Sequence, residues 1–137
     1  MKVLIVAHGG LSTGLKKTVE MVYGSIDKDV HFIDFLGNDT SETLCKKFHE
    51  IVGDSTTLFL TDVLGGTPFL AGALHKHTYG NTEVISGVNL PMIVSVLEEK
   101  DEMKLNELAN YALEEGKDGI ELYNIEFKIE EDEEDGI

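Results

Sequence analysis

The chain has 137 residues, 42% of them apolar and 27% charged, with a formal net charge of −15. That length gives one domain able to bury roughly two-thirds of its unfolded surface. The charge repels phosphate backbones and anionic lipid, which excludes charge-driven nucleic-acid or membrane-surface binding and favours a basic protein partner. The last twelve residues, 126–137, hold seven acids and one lysine, and that net −6 still leaves −9 on the remainder. This acidic tail is expected to be disordered. All eleven basic residues are lysines, so any bound phosphate falls to backbone amides, hydroxyls, a lysine or a partner's arginine. Cys45 is the single cysteine, which rules out an intrachain disulfide and suits a reducing compartment. The apolar run after Lys2 is too short for a signal peptide, and no segment reaches the ~18 residues of a membrane span. A cytoplasmic location is expected.

In chain order, short apolar runs alternate with amphipathic ones. KVLIVA (2–7) reads as a buried strand, and Ser12 or Thr13 is placed to cap a helix that Gly24 closes. VHFIDF (30–35) reads as a second strand, followed by a helix over 40–52 with Leu44, Phe48, Ile51 and Val52 facing inward. TTLFLTD (56–62) is a third strand. Thr67 then reads as an N-cap and Pro68 as a first helical residue, opening a helix to about Tyr79. TEVISG (82–87) is a fourth strand, and Pro91 starts a helix to about Lys100. A last helix covers about 104–116, and IELYNIEF (120–127) alternates like a final strand.

Strand and helix alternating four times predict an α/β fold, a doubly wound and mostly parallel sheet with helices on both faces. The boundaries follow as one domain over 1–125 and the tail over 126–137. In such sheets ligands bind beyond the carboxyl ends of the strands, where the strand order reverses. His8, Asp62 and the Gly87-Val88-Asn89 loop all emerge at that edge. His8 is followed by two glycines that leave its ring open, and then by a helix start with unpaired amides. Asp62 is read as the acceptor of a hydrogen bond from His8 Nδ1, which leaves Nε2 as an exposed nucleophile. Gly9 and Ser12 at the first helix start, with Gly66 and Thr67 at the third, are the candidate phosphate-binding residues. Two helix starts converging on an exposed histidine suggest a phosphoryl group carried on that histidine.

Competing chemistries lack their patterns. There is no G-x-x-x-x-G-K-[ST] loop, GGLSTG lacks the G-x-G-x-x-G spacing, and no nucleophile elbow accompanies Ser12. His75 and His77, two apart with no cysteine cluster, do not form a metal site. His31 and His49 read as surface positions and Cys45 as structural. Neither a cofactor nor a metal is expected.

The stretches VAHGGLSTGL (6–15), FLTDVLGGTPF (59–69) and VISGVNLPM (84–92), with a weaker LANYALEEGKDGI (108–120), resemble one family over about residues 1–125. It is that of the enzyme IIA components of the mannose-type branch of the bacterial phosphoenolpyruvate-dependent sugar phosphotransferase system. The resemblance implies that His8 accepts a phosphoryl group from the phosphocarrier protein HPr on Nε2 and passes it to an enzyme IIB component, with Asp62 as hydrogen-bonding partner. It implies that the GGTP stretch and the GVN loop line one pocket. It further implies a final antiparallel strand, here IELYNIEF, exchanged within a homodimer, and membrane permease components as indirect partners. Three features depart from the pattern: Leu70 stands where many members carry asparagine, no IIB domain follows in this chain, and the acidic tail has no counterpart in the family. Two other readings share the phosphohistidine, namely a phosphotransfer subunit of dihydroxyacetone kinase and a regulatory module uncoupled from transport.

Overall fold

The computed structural model describes residues 1–124. Nine elements follow one another: β1 (Lys2–His8), α1 (Leu11–Val22), β2 (Val30–Phe35), α2 (Ser41–Val52), β3 (Thr57–Thr61), α3 (Thr67–Tyr79), β4 (Thr82–Ile85), α4 (Leu90–Glu99) and α5 (Leu105–Asp118). The four strands form one parallel sheet in the order β2-β1-β3-β4. The chain leaves β1 for β2 on one side and then crosses to β3 on the other. The strand order therefore reverses between β1 and β3, as the doubly wound expectation requires.

The two-residue period of the strands sorts the core into two layers. Val3 and Ile5 of β1 join Leu58 and Leu60 of β3 on one face, covered by Val19 of α1, Ile93 and Val96 of α4, and Leu108 and Ala112 of α5. Leu4, Val6 and Phe59 point the other way, onto Leu44, Phe48 and Val52 of α2 and Ala71 of α3. Gly72 lets α3 approach the sheet, since a Cβ there would lie 3.3 Å from both Phe59 and Val84.

Several boundaries move from their sequence positions. Gly10, not Ser12 or Thr13, is the N-cap of α1, and Gly66, not Thr67, is the N-cap of α3. The helix after β4 starts at Leu90, because the Asn89 side chain accepts from the Met92 amide at 3.0 Å. A side-chain cap fixes a helix start more strongly than a proline does. No strand forms over 120–124, where Ile120, Leu122 and Tyr123 are exposed, and the rest of the expected strand, 125–127, lies outside the described residues. So does the tail from 126 to 137. β4 pairs with β3 alone among the described residues. No described helix is long and apolar enough to cross a membrane.

Two histidines carry a pH cost. His75, 5% exposed, sits among Phe48, Phe59 and Tyr79, and its Nε2 has no hydrogen-bond partner. Burial lowers its pKa from the usual 6.5, despite the opposing carbonyl of Gly53. Burial lowers that of His31 in the same way, and its Nε2 is also buried without a partner. Both stay neutral in the folded chain while the unfolded chain takes up protons below pH 6.5, so stability falls as pH falls through that value. Urea midpoints measured at pH 7.5 and 5.5 are expected to be lower at the acid end. His75→Phe is expected to shrink that difference without abolishing it, because His31 still contributes.

Candidate functional site

β1 and β3 run side by side in register, with Val6 opposite Thr61. The residues just beyond the ladder, His8 and Asp62, therefore meet at the strand-order reversal. One oxygen of Asp62, Oδ2, accepts both the His8 main-chain N–H at 2.9 Å and a hydrogen bond with ring Nδ1 at 2.8 Å. The other, Oδ1, accepts the Val63 amide at 3.0 Å. Burial of this carboxylate works to raise its pKa, but the His8 amide, the His8 ring and the Val63 side of the loop outweigh it, and the net shift is downward from 3.8. Asp62 is thus ionised at neutral pH. An ionised carboxylate only accepts, so Nδ1 carries the hydrogen and a neutral ring presents its lone pair at Nε2.

Three further features shape the ring's surroundings. Phe35, opposite His8 on β2, meets it edge to face with centroids 5.6 Å apart at 84°. Gly66 passes close to the ring, where a Cβ would stand 3.0 Å from His8 Cε1 and 3.2 Å from the Val63 carbonyl oxygen. The loop after β4 braces Asp62 from behind, through Gly87 N–H to the Asp62 carbonyl at 3.2 Å and Val88 N–H to the Thr61 carbonyl at 3.0 Å. Asn89 itself turns away from His8, donating to the Gly116 carbonyl at 2.8 Å and tying this loop to α5.

The four candidate phosphate-binding residues separate here. Ser12 is fully buried, and its hydroxyl donates to the Ile5 carbonyl at 2.7 Å. That bond pins α1 to β1 and removes the hydroxyl from any anion outside, contrary to the sequence expectation. The Gly9 amide donates to the Phe35 carbonyl at 2.8 Å, with φ at +60° in the region that favours glycine. The Gly66 amide donates to the Val63 carbonyl at 2.9 Å. Thr67 stays at the open start of α3, where Gly66 supplies no side-chain cap and Pro68 has no N–H to satisfy. The two helix starts are therefore unequal. That of α3 is open to an anion. At α1, Asp34 accepts the Thr13 amide at 3.0 Å and the Thr13 hydroxyl as well.

Asp34 and Phe35 are site residues that the sequence reading missed. Their signal was the same topological rule that singled out His8 and Asp62, applied to the carboxyl end of the second strand. Around this edge Leu11, Leu36, Val63, Leu64 and Leu70 are exposed. Leu70 thus contributes apolar surface where a polar residue was the family expectation. Elsewhere, His49 bonds through Nδ1 to the Tyr79 hydroxyl, and Cys45 lies half-buried on α2 with its thiol pKa raised by burial.

A family model described as "PTS system fructose IIA component" matches residues 2–113. Among curated proteins, the PTS system mannose-specific EIIAB component of Escherichia coli K12 is 36% identical over 123 residues, covering 86% of this chain. The match spans only 38% of that relative's length. The PTS system fructose-specific EIIA component of Bacillus subtilis is 30% identical over 114 residues, covering 80% of this chain and 77% of the relative. Of solved structures, a phosphotransferase system component EIIA from Streptococcus agalactiae superposes with a TM-score of 0.81 at 28% identity, over 87% of this chain and 94% of the other. A mannose/sorbose specific IIA subunit from Enterococcus faecalis shares the fold, with a TM-score of 0.82 at 23% identity over 93% and 98% of the two chains.

The clearance at Gly66 is testable by itself. Its φ of −72° suits any residue, so Gly66→Ala strains contacts and not the backbone. A crystal structure of this variant is expected to show the His8 ring pushed aside, with the Nδ1–Oδ2 separation beyond about 3.2 Å. An unmoved ring would mean that the Val63 turn yields instead.

Proposed function

We propose, for a chain that belongs to the mannose-type family of IIA components of the sugar phosphotransferase system, that His8 is its covalent phosphoryl carrier. The protein then takes a phosphoryl group from HPr and hands it to an enzyme IIB component during sugar uptake. The single observation that carries this reading is the 2.8 Å bond between His8 Nδ1 and Asp62, which leaves Nε2 as the free nitrogen of a half-exposed ring.

In this mechanism the Nε2 lone pair attacks phosphorus while the bond from phosphorus to the donor's histidine nitrogen breaks. The donor leaves with that electron pair. No proton moves in the exchange, because the hydrogen stays on Nδ1, donated to Asp62. The ring's growing positive charge is balanced by the adjacent carboxylate, so Asp62 acts both as orienter and as counter-charge. The three phosphoryl oxygens face the open start of α3, where Thr67 offers a hydroxyl and the helix end offers positive partial charge. Gly66 gives the ring room, and Gly9 turns the chain away from it. Ser12 serves indirectly, by holding α1 against β1.

Neither transfer needs an arginine or a metal ion from this chain. Phosphoryl exchange between two histidines depends on in-line positioning and charge stabilisation. A partner's basic residue supplies whatever cation the oxygens require, and the net charge of −15 draws such a partner in. The exposed leucines around His8 give both partners an apolar surface to dock on, one after the other.

Intact-protein mass after incubation with phosphoenolpyruvate, enzyme I and HPr tests the assignment. Wild type is expected to gain one phosphoryl group, lost in acid and kept in base, and His8→Ala none. A gain on His8→Ala would reject His8 as the carrier. In stopped-flow transfer from phospho-HPr, Asp62→Ala is expected to be slower by roughly ten- to a hundredfold, the value of a hydrogen bond to a charged group. Its circular dichroism is expected to match wild type.

A further inference from the structure

Transfer through His8 asks more of the ring than its bond to Asp62 provides. The side chain is 46% exposed, so enclosure does not hold it. A single hydrogen bond at Nδ1 fixes one direction and leaves the ring free to rock about that axis. Rocking sweeps the Nε2 lone pair through an arc, and phosphoryl transfer tolerates little misalignment. A second contact, off that axis, has to set the plane.

The structure offers one such contact from a rigid source. Phe35 stands opposite His8 in the β1–β2 register and meets its ring at 84°, with centroids 5.6 Å apart. The Phe35 carbonyl also takes the Gly9 amide at 2.8 Å, fixing the backbone just past His8. Phe35 is only partly buried, yet it packs on the core layer that includes Leu4, Val6, Leu44 and Phe48. Its ring is therefore anchored on the α2 side while it supports the histidine. An edge-to-face contact is directional in a way that aliphatic packing is not. With Asp62 at Nδ1 and no side chain on Gly66 beside Cε1, the Phe35 edge resists rotation.

We propose that Phe35 is a positioning residue for phosphoryl transfer, setting the plane of the His8 imidazole so that Nε2 meets phosphorus in line. It touches neither phosphorus nor oxygen and forms no bond in the reaction. The proposal rests on His8 being the carrier, and it predicts an effect on the transfer step and not on partner binding.

The full chain with Phe35→Leu, which keeps apolar bulk, is compared with Phe35→Tyr, which keeps the ring. Two readouts are taken. In the unphosphorylated protein, carbon relaxation of the His8 ring C–H groups reports how far the ring rocks. Wild type and Phe35→Tyr are expected to show a rigid ring, and Phe35→Leu a mobile one. In single-turnover transfer from phospho-HPr, Phe35→Leu is expected to lose about tenfold in maximal rate with an unchanged half-saturating HPr concentration. Phe35→Tyr is expected to transfer like wild type.

Phe35→Leu rates within about twofold of wild type would overturn the proposal. So would a loss confined to the half-saturating concentration, which would make Phe35 a docking contact. If the wild type accepts no phosphoryl group from HPr, the carrier assignment fails. The ring relaxation then still judges Phe35, and a ring as rigid in Phe35→Leu as in wild type rejects it. Should Phe35→Leu not fold by circular dichroism, Phe35→Met is read in its place.

Discussion

One carboxylate oxygen joins residues 54 positions apart in the chain: Asp62 Oδ2 takes both the main-chain and the ring N–H of His8. Everything else about the site is arranged around that double acceptance. It requires β1 and β3 to be neighbours, parallel, and in a register that ends both strands together. A slip of one residue would send the strand side chains to the wrong faces and bury a charge. The core layers on the two sides of the sheet, Val3 with Ile5 and Leu4 with Val6, hold that register and hence the pair.

The surrounding backbone is mostly committed. Gly9, Gly66, Gly87 and Val88 donate to carbonyls of the neighbouring segments, and Ser12 donates to Ile5. These bonds fix where the loops run, and they leave few donors free. The open start of α3 is therefore the part of the edge with capacity for an anion, while Asp34 already sits at the start of α1. A site built this way presents an anion cradle on one side of His8 and a carboxylate-capped helix on the other. In the proposed mechanism, that asymmetry gives an incoming phosphoryl group one favoured side.

The same edge combines a negative chain with exposed leucines. In the proposed role, a carrier that pairs briefly with two proteins gains from fast electrostatic encounter and from an exposed apolar surface. Leu11, Leu36, Val63, Leu64 and Leu70 supply such a surface around His8. The lysine-only basic complement fits that proposal, in which the cation beside the phosphoryl oxygens arrives with a partner and leaves with it.

The sequence by itself determined the α/β alternation, the parallel sheet and the two residues at its switch point. These follow from local patterns: apolar strands of period two, helices with caps, and single residues placed where strands end. It also carried the family through three ordered motifs. What it could not determine were contacts between segments far apart in the chain. Ser12 looked like an anion ligand because hydroxyls favour helix starts, yet the fold laid α1 over β1 and spent that hydroxyl on Ile5. Asp34 and Phe35 looked like ordinary strand residues until β2 was set beside β1. His75 looked relevant only with His77 as a metal ligand, but α2 and the sheet close over it and leave Nε2 without a partner. In each case the deciding quantity was which groups tertiary packing brings within hydrogen-bond or van der Waals reach, and spacing along the chain does not encode that.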